Sequence, residues 1–283
     1  MKKQNWISIA LIIACIGALF AYRAVARIKA DHTPPEIHME EKLLELSALE
    51  PRSALLQGVT ARDKRDGDVT ASLVVESVRL LRNDGTVTVT YAAFDAAGNV
   101  AKQSREVRFS DYRSPRFSLS KPLMFSQTSS YDVLNIIGAE DMLDGDISHR
   151  IRATVLDEVE SGYTGTHDIQ FRVTNSLGEM VELVLPVEIY TPSLFEGTLT
   201  LTDYLIYLKQ GERFNAREYL DTLTVGREET ELSGAMPADI QLEVSGGVNT
   251  GIPGVYTVDY RIDRAMGNQI YSAYSRLIVV VEG

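Results

Sequence analysis

GTVTVTYAAFDAAGN, residues 85–99, is the stretch from which the fold of this chain is read. Val87, Val89, Tyr91 and Ala93 alternate with Thr86, Thr88 and Thr90. A period of two is the mark of a strand with one face buried and one face wet. The strand runs into Asp95-Ala96-Ala97-Gly98-Asn99, residues that favour a tight turn. A second strand is expected over 100–109.

The register recurs twice. Gly85 leads to Tyr91, Asp95 and Gly98; Gly165 leads to Phe171, Asn175 and Gly178; Gly254 leads to Tyr260, Arg264 and Gly267. The inward positions correspond as well: His167, Ile169, Phe171 and Val173 in the second copy, Tyr256, Val258, Tyr260 and Ile262 in the third. The chain therefore carries an internal repeat of about 80–90 residues. Tyr91, Phe171 and Tyr260 are expected to be equivalent core aromatics.

The first two copies share a second feature. Asp63, Asp66, Gly67 and Asp68 recur as Asp141, Asp144, Gly145 and Asp146, and Asp31, Pro35 and Ile37 recur as Asp111, Pro115 and Phe117. In the first copy, strands are expected at 37–39, 55–62 and 73–81, with a helical turn at 40–46. In the second they are expected at 151–156, 166–174 and 179–189. The third has lost the Asp-Gly-Asp loop and keeps strands at 254–262 and 276–281. Many short strands without helical periodicity indicate an all-β sandwich.

Before the repeats, Lys2 and Lys3 precede an uncharged run over residues 6–22. Seventeen residues at about 1.5 Å each give roughly 25 Å, slightly short of a bilayer core of about 30 Å. Three readings stand: an uncleaved transmembrane signal anchor, a cleaved secretory peptide ending at Ala24-Val25-Ala26, and a lipoprotein with Cys15 as its lipid site. Lys2 and Lys3 on one side and Arg23, Arg27 and Lys29 on the other leave the orientation undecided by charge.

Residues 1–30 hold five positive and no negative side chains, so the net charge of −11 becomes −11 − 5 = −16 for residues 31–283. Such an acidic surface argues against nucleic acid as a partner. Cys15 is the only cysteine, so a disulfide within residues 31–283 and a thiol nucleophile there are both excluded. His32, His38, His149 and His167 have no metal-ligand spacing. No G-x-S-x-G elbow, S-x-x-K motif or phosphate-binding loop occurs, so the chain reads as a non-enzyme that requires no cofactor.

The combination D-x-x-D-G-D-[VI]-[TS] followed by G-x5-[YF]-x3-[DN]-x2-G resembles a family of bacterial immunoglobulin-like domains. That family is known from a pesticidal crystal toxin and from tandem arrays on Gram-positive surface proteins. Asp66-Gly67-Asp68-Val69-Thr70 and residues 91–99 carry the likeness in the first copy; Asn175 replaces Asp95 in the second. The third copy matches through its glycine register alone. The resemblance implies three tandem immunoglobulin-like sandwiches, at 31–112, 113–191 and 192–283, after an N-terminal membrane anchor or signal peptide at 1–30. It implies a place outside the membrane and an adhesive, ligand-binding or spacing role.

In such a sandwich the Asp-Gly-Asp loop and the end of the aromatic strand share a pole. That gathers Asp63, Asp66, Asp68 and Asp95 in the first copy, with Asp31 close by. In the second it gathers Asp141, Asp144 and Asp146 around Asn175, where Asp111 is expected to contribute. Two readings stand. Clustered carboxylates suit calcium, which takes about six to eight oxygen ligands; alternatively the aspartates cap loop N–H groups. If metal binds, the second copy is expected to be the better site, with the third sandwich hinging freely. The expected partners are a protein or a cell-wall glycan outside the membrane, and the lipid bilayer through residues 6–22. The alternative is an accessory subunit of an envelope assembly, such as polysaccharide export or synthesis, docking another protein.

Overall fold

The computed structural model describes residues 13–21, 31–82, 84–128, 132–156, 164–192 and 196–283. Residues 13–21 are helical, with Ile13, Ile16, Leu19 and Phe20 exposed. The rest of the expected 6–22 span lies outside the described residues. Among the described residues no helix is long and apolar enough to cross a membrane. From residue 31 onward the described residues form strands joined by turns and short 3-10 turns.

The first sandwich is built from β1 (Glu36–Met39), β2 (Leu43–Leu46), β3 (Val59–Asp63), β4 (Gly67–Asp68), β5 (Val74–Arg82), β6 (Thr86–Phe94) and β7 (Val100–Phe109). One sheet has the order β1-β3-β4, the other β2-β7-β6-β5. The inward set is as the alternation requires: Val87, Val89, Tyr91 and Ala93 are fully buried. The helical turn expected at 40–46 is not there. Leu and Glu are good helix formers, but β2 pairs parallel with β7, which puts Leu44 and Leu46 inward. Tertiary pairing outweighs propensity in so short a segment. The strand expected at 55–62 is also divided, into a 3-10 turn at Arg52–Leu56 and β3.

The arrangement repeats strand for strand. In the second sandwich β8 (Arg116–Leu119), β10 (Ile137–Asp141) and β11 (Gly145–Asp146) face β9 (Met124–Ser126), β14 (Met180–Tyr190), β13 (Gly165–Thr174) and β12 (Arg152–Val155). In the third, β15 (Thr198–Leu201), β17 (Leu220–Val225) and β18 (Glu228–Glu231) face β16 (Leu205–Lys209), β21 (Gln269–Glu282), β20 (Gly254–Met266) and β19 (Ile240–Ser245). In each, the second strand crosses to the other sheet and lies parallel to the last. Tyr91, Phe171 and Tyr260 are all buried at the equivalent place. Tyr256 is half-buried, and His167, on the inward register of β13, is half-buried with no partner for its Nε2 among the described residues.

Two compact units result, residues 1–111 and 112–283. The second and third sandwiches thus form one body. Its physical basis is β21, which is buried on both faces. Leu277, Val279 and Val281 enter the core of the third sandwich. Ile278, one residue out of phase and 1% exposed, enters the core of the second beside Phe117, Ile169 and Phe171, with Val280 packed against it. On β16, Leu205 and Tyr207 also join the second core. The junction is fixed by polar contacts too. Arg116 Nη2 meets Glu282 Oε2 at 2.6 Å, and its guanidinium lies 4.8 Å from the centre of the Tyr207 ring. The Tyr207 hydroxyl accepts from Phe117 N at 2.9 Å. Burial pushes the Tyr207 phenol up to about 12. The expectation of a freely hinging third sandwich is therefore wrong: these apolar side chains lose water only while the two sandwiches stay packed together.

Candidate metal centre

The pole at the end of β3 and β6 is where the first sandwich collects charge. The β3–β4 hairpin turns at Gly67, whose φ of 79° suits glycine. Asp63 closes β3, 3% exposed, and its Oδ1 accepts from Arg65 N at 2.7 Å and Asp66 N at 2.9 Å. Those backbone donors hold its carboxyl below the ordinary aspartate value. Its Oδ2 is buried and has no hydrogen-bond partner among the described residues.

Asp95, 8% exposed, follows β6, and its carboxylate accepts twice from Asn99: N to Oδ1 and Nδ2 to Oδ2, each 2.7 Å. Asn99 Nδ2 also reaches the Asp31 carbonyl at 3.1 Å, which brings the segment before β1 onto this pole. Asp31 Oδ1 accepts from Thr33 N at 3.0 Å, and Arg65 Nη1 stands 3.9 Å from Asp31 Oδ2. One oxygen from each of Asp31, Asp63 and Asp95 lies within 4.8 Å of the other two.

The other aspartates of the first loop serve the backbone. Asp66 Oδ2 accepts from Ala96 N at 2.8 Å, tying the β3–β4 loop to the β6–β7 turn. Asp68 Oδ1 accepts from Thr70 N at 2.9 Å. Asp111 is elsewhere. It follows the far end of β7, a strand of ten residues and so about 33 Å from the Asp95 turn. There its carboxylate accepts from Ser47 Oγ and Ala48 N, both at 2.7 Å. Asp31, by contrast, belongs to the cluster; the offset of 80 residues to Asp111 signals equivalence in sequence but not in the direction of the side chain.

The second sandwich resolves the same pole differently. Asp141 Oδ1 accepts from Leu143 N and Asp144 N, both at 2.9 Å, as Asp63 does from its own loop. Its Oδ2, however, accepts from Asn175 Nδ2 at 3.0 Å. Asn175 stands where the first sandwich has Asp95. The carboxylate has moved four residues on, to buried Glu179, which accepts from Ser114 Oγ at 2.6 Å and from the Tyr112 hydroxyl. Burial and then the Glu179 carboxylate push the Tyr112 phenol up. Asp144 is matched by Ser176 N and Arg150 Nη1, both at 2.7 Å, and Asp146 by Ser148 N at 2.9 Å. The second copy was expected to be the better metal site; there Asn175 Nδ2 already donates to Asp141 Oδ2, and among the described residues the grouping of three carboxylates lies in the first copy.

In the third sandwich the position of Asp95 is Arg264. It pairs with Asp239 at 2.9 Å and Glu228 at 3.2 Å, and Val225 replaces Asp63 at the end of the hairpin strand. One position thus carries a carboxylate, an amide and a guanidinium in the three sandwiches. Tyr112, Glu179 and Asn99 were not among the expected site residues; their signal was the exchange of amide and carboxylate between Asp95/Asn99 and Asn175/Glu179.

No family model matches the chain, and no curated protein matches it. Solved structures that align along most of it include mouse cadherin-23 EC22-24, at 8% identity and a TM-score of 0.22 over 88% of this chain and 99% of that one. Drosophila N-cadherin EC1-4 aligns at 13% identity and a TM-score of 0.23, over 88% of this chain and 76% of that one. The CBM51-2 and INT domains of Clostridium perfringens ZmpB, in complex with GlcNAc, align at 15% identity and a TM-score of 0.23, over 87% of this chain and 41% of that one. At these scores the likenesses carry no argument, and the fold stands on the strands described above.

Proposed function

We propose that this chain is a non-enzymatic bacterial envelope protein, held at the membrane by residues 6–22, that presents tandem sandwiches outside it for adhesion, ligand binding or spacing. The observation that supports this reading is β21, buried on both faces. It makes the second and third sandwiches one stiff body, which suits a protein whose task is to hold a binding surface at a set distance. The acidic charge of residues 31–283 keeps such a body from collapsing onto anionic lipid.

The test is protease added to intact cells stripped of their wall. Residues 31–283 are expected to be degraded, and a chain digested only after lysis refutes the outward orientation. Retention on purified wall glycan then identifies an adhesive role. Recovery with a stoichiometric membrane protein instead moves the assignment to an accessory subunit of an envelope assembly.

A further inference from the structure

We propose that Asp31, Asp63 and Asp95 form a calcium site that fastens the segment preceding β1 to the pole of the first sandwich. Two independent observations carry it. The first is the geometry: three oxygens, each within 4.8 Å of the others. A calcium–oxygen bond is about 2.3–2.6 Å, so oxygens up to about twice that distance apart can share one ion. The second is the buried Asp63 Oδ2, which has no hydrogen-bond partner among the described residues, in a residue only 3% exposed. A buried anionic oxygen left unmatched is costly, and a native fold supplies a donor or a cation.

The second and third sandwiches show what the pole requires. There the position of Asp95 supplies Asn175 Nδ2 to Asp141 Oδ2, or the Arg264 guanidinium to Asp239 and Glu228. In the first sandwich that position is a third carboxylate, which can donate nothing, and Arg65 is the only cation the cluster has within 4 Å among the described residues. The donor set is all oxygen, with no histidine or thiolate, which suits a hard cation such as calcium over zinc. Because Asp31 belongs to the segment before the first strand and Asp63 and Asp95 to the sandwich, the ion would fix where that segment leaves the domain. The site is independent of the function proposed above: it depends on this pole alone and not on where the chain resides.

The experiment is thermal melting of the full chain with 2 mM calcium, with 2 mM magnesium and with chelator, together with calcium titration by calorimetry. Calcium is expected to raise the transition of the first sandwich by at least about 3 °C over chelator, with a dissociation constant at or below about 1 mM. Asp95→Asn copies the second sandwich: in chelator it should melt no lower than wild type, and calcium should no longer shift it. Asp31→Ala should remain folded and lose at least tenfold in calcium affinity. Unchanged melting with calcium and no titration heat overturn the proposal. A calcium response that survives in Asp95→Asn overturns it equally, because the ion then binds elsewhere.

Discussion

Tyr91 is held by its ring and by its hydroxyl at once. The ring is fully buried; the hydroxyl donates to the Leu55 carbonyl at 2.7 Å and accepts from Arg105 Nε at 2.8 Å. Arg105, itself 5% exposed, also gives Nη2 to Leu55 O and Gln57 O. A buried guanidinium is therefore satisfied by two carbonyls and a phenol, with its carbon 5.4 Å from the centre of the Tyr91 ring. Tyr91→Phe keeps the ring and strands one donor of Arg105, which should cost about 1–3 kcal/mol. Tyr91→Ala removes the ring too and should cost at least about 3–5 kcal/mol, comparable with the whole stability of a small domain. Denaturant unfolding of both variants checks this; equal midpoints for the two would show that the ring contributes nothing beyond its hydroxyl. The alternation in residues 85–99 revealed the inward ring, whereas Arg105 lies in a mixed stretch of β7 and its burial had no sequence signal.

At the scale of the element, β21 is the strand that joins two cores. Residues 277–281 read Leu-Ile-Val-Val-Val. A continuous apolar run is the signature of a strand covered on both sides, as an alternating one is of a strand covered on one. Since successive side chains point to opposite faces, Leu277→Ala and Ile278→Ala remove similar volumes from different cores, each at about 2–5 kcal/mol. Ile278→Ala should speed hydrogen exchange of amides 169–173 in the second sandwich, and Leu277→Ala should speed exchange mainly within β20. If Ile278→Ala leaves residues 169–173 as protected as in wild type, the shared core contributes nothing to the second sandwich.

For the whole molecule, three repeats in sequence become two units in space, the second of which holds two sandwiches that share the strand β21. Calorimetry of the full chain should therefore give two transitions, one for residues 31–111 and one in which the second and third sandwiches melt together. Tyr91→Ala should abolish the first and leave the second unmoved. Three separate transitions would show that the second and third cores are energetically independent despite their contact.

The sequence by itself determined the long strands of each repeat, their inward faces and the repeat itself, because a period of two and a glycine register are local consequences of backbone geometry. That aspartates gather at one pole was implied by the likeness to an immunoglobulin-like sandwich. Which aspartates meet was decided only by the tertiary structure. Asp31 and Asp111 are equivalent by offset, yet one turns into its pole and the other caps residues 47 and 48 at the opposite end of the same sandwich. The fate of Glu40 to Leu46 was likewise settled by the edge of β7, which offered a parallel partner that propensity could not foresee. The joining of the second and third sandwiches depends on β21 entering a core built from strands some hundred residues earlier, as Ile278 joins the cluster that holds Phe171. Burial of that kind is a property of surfaces that meet, and the chain acquires it only on folding.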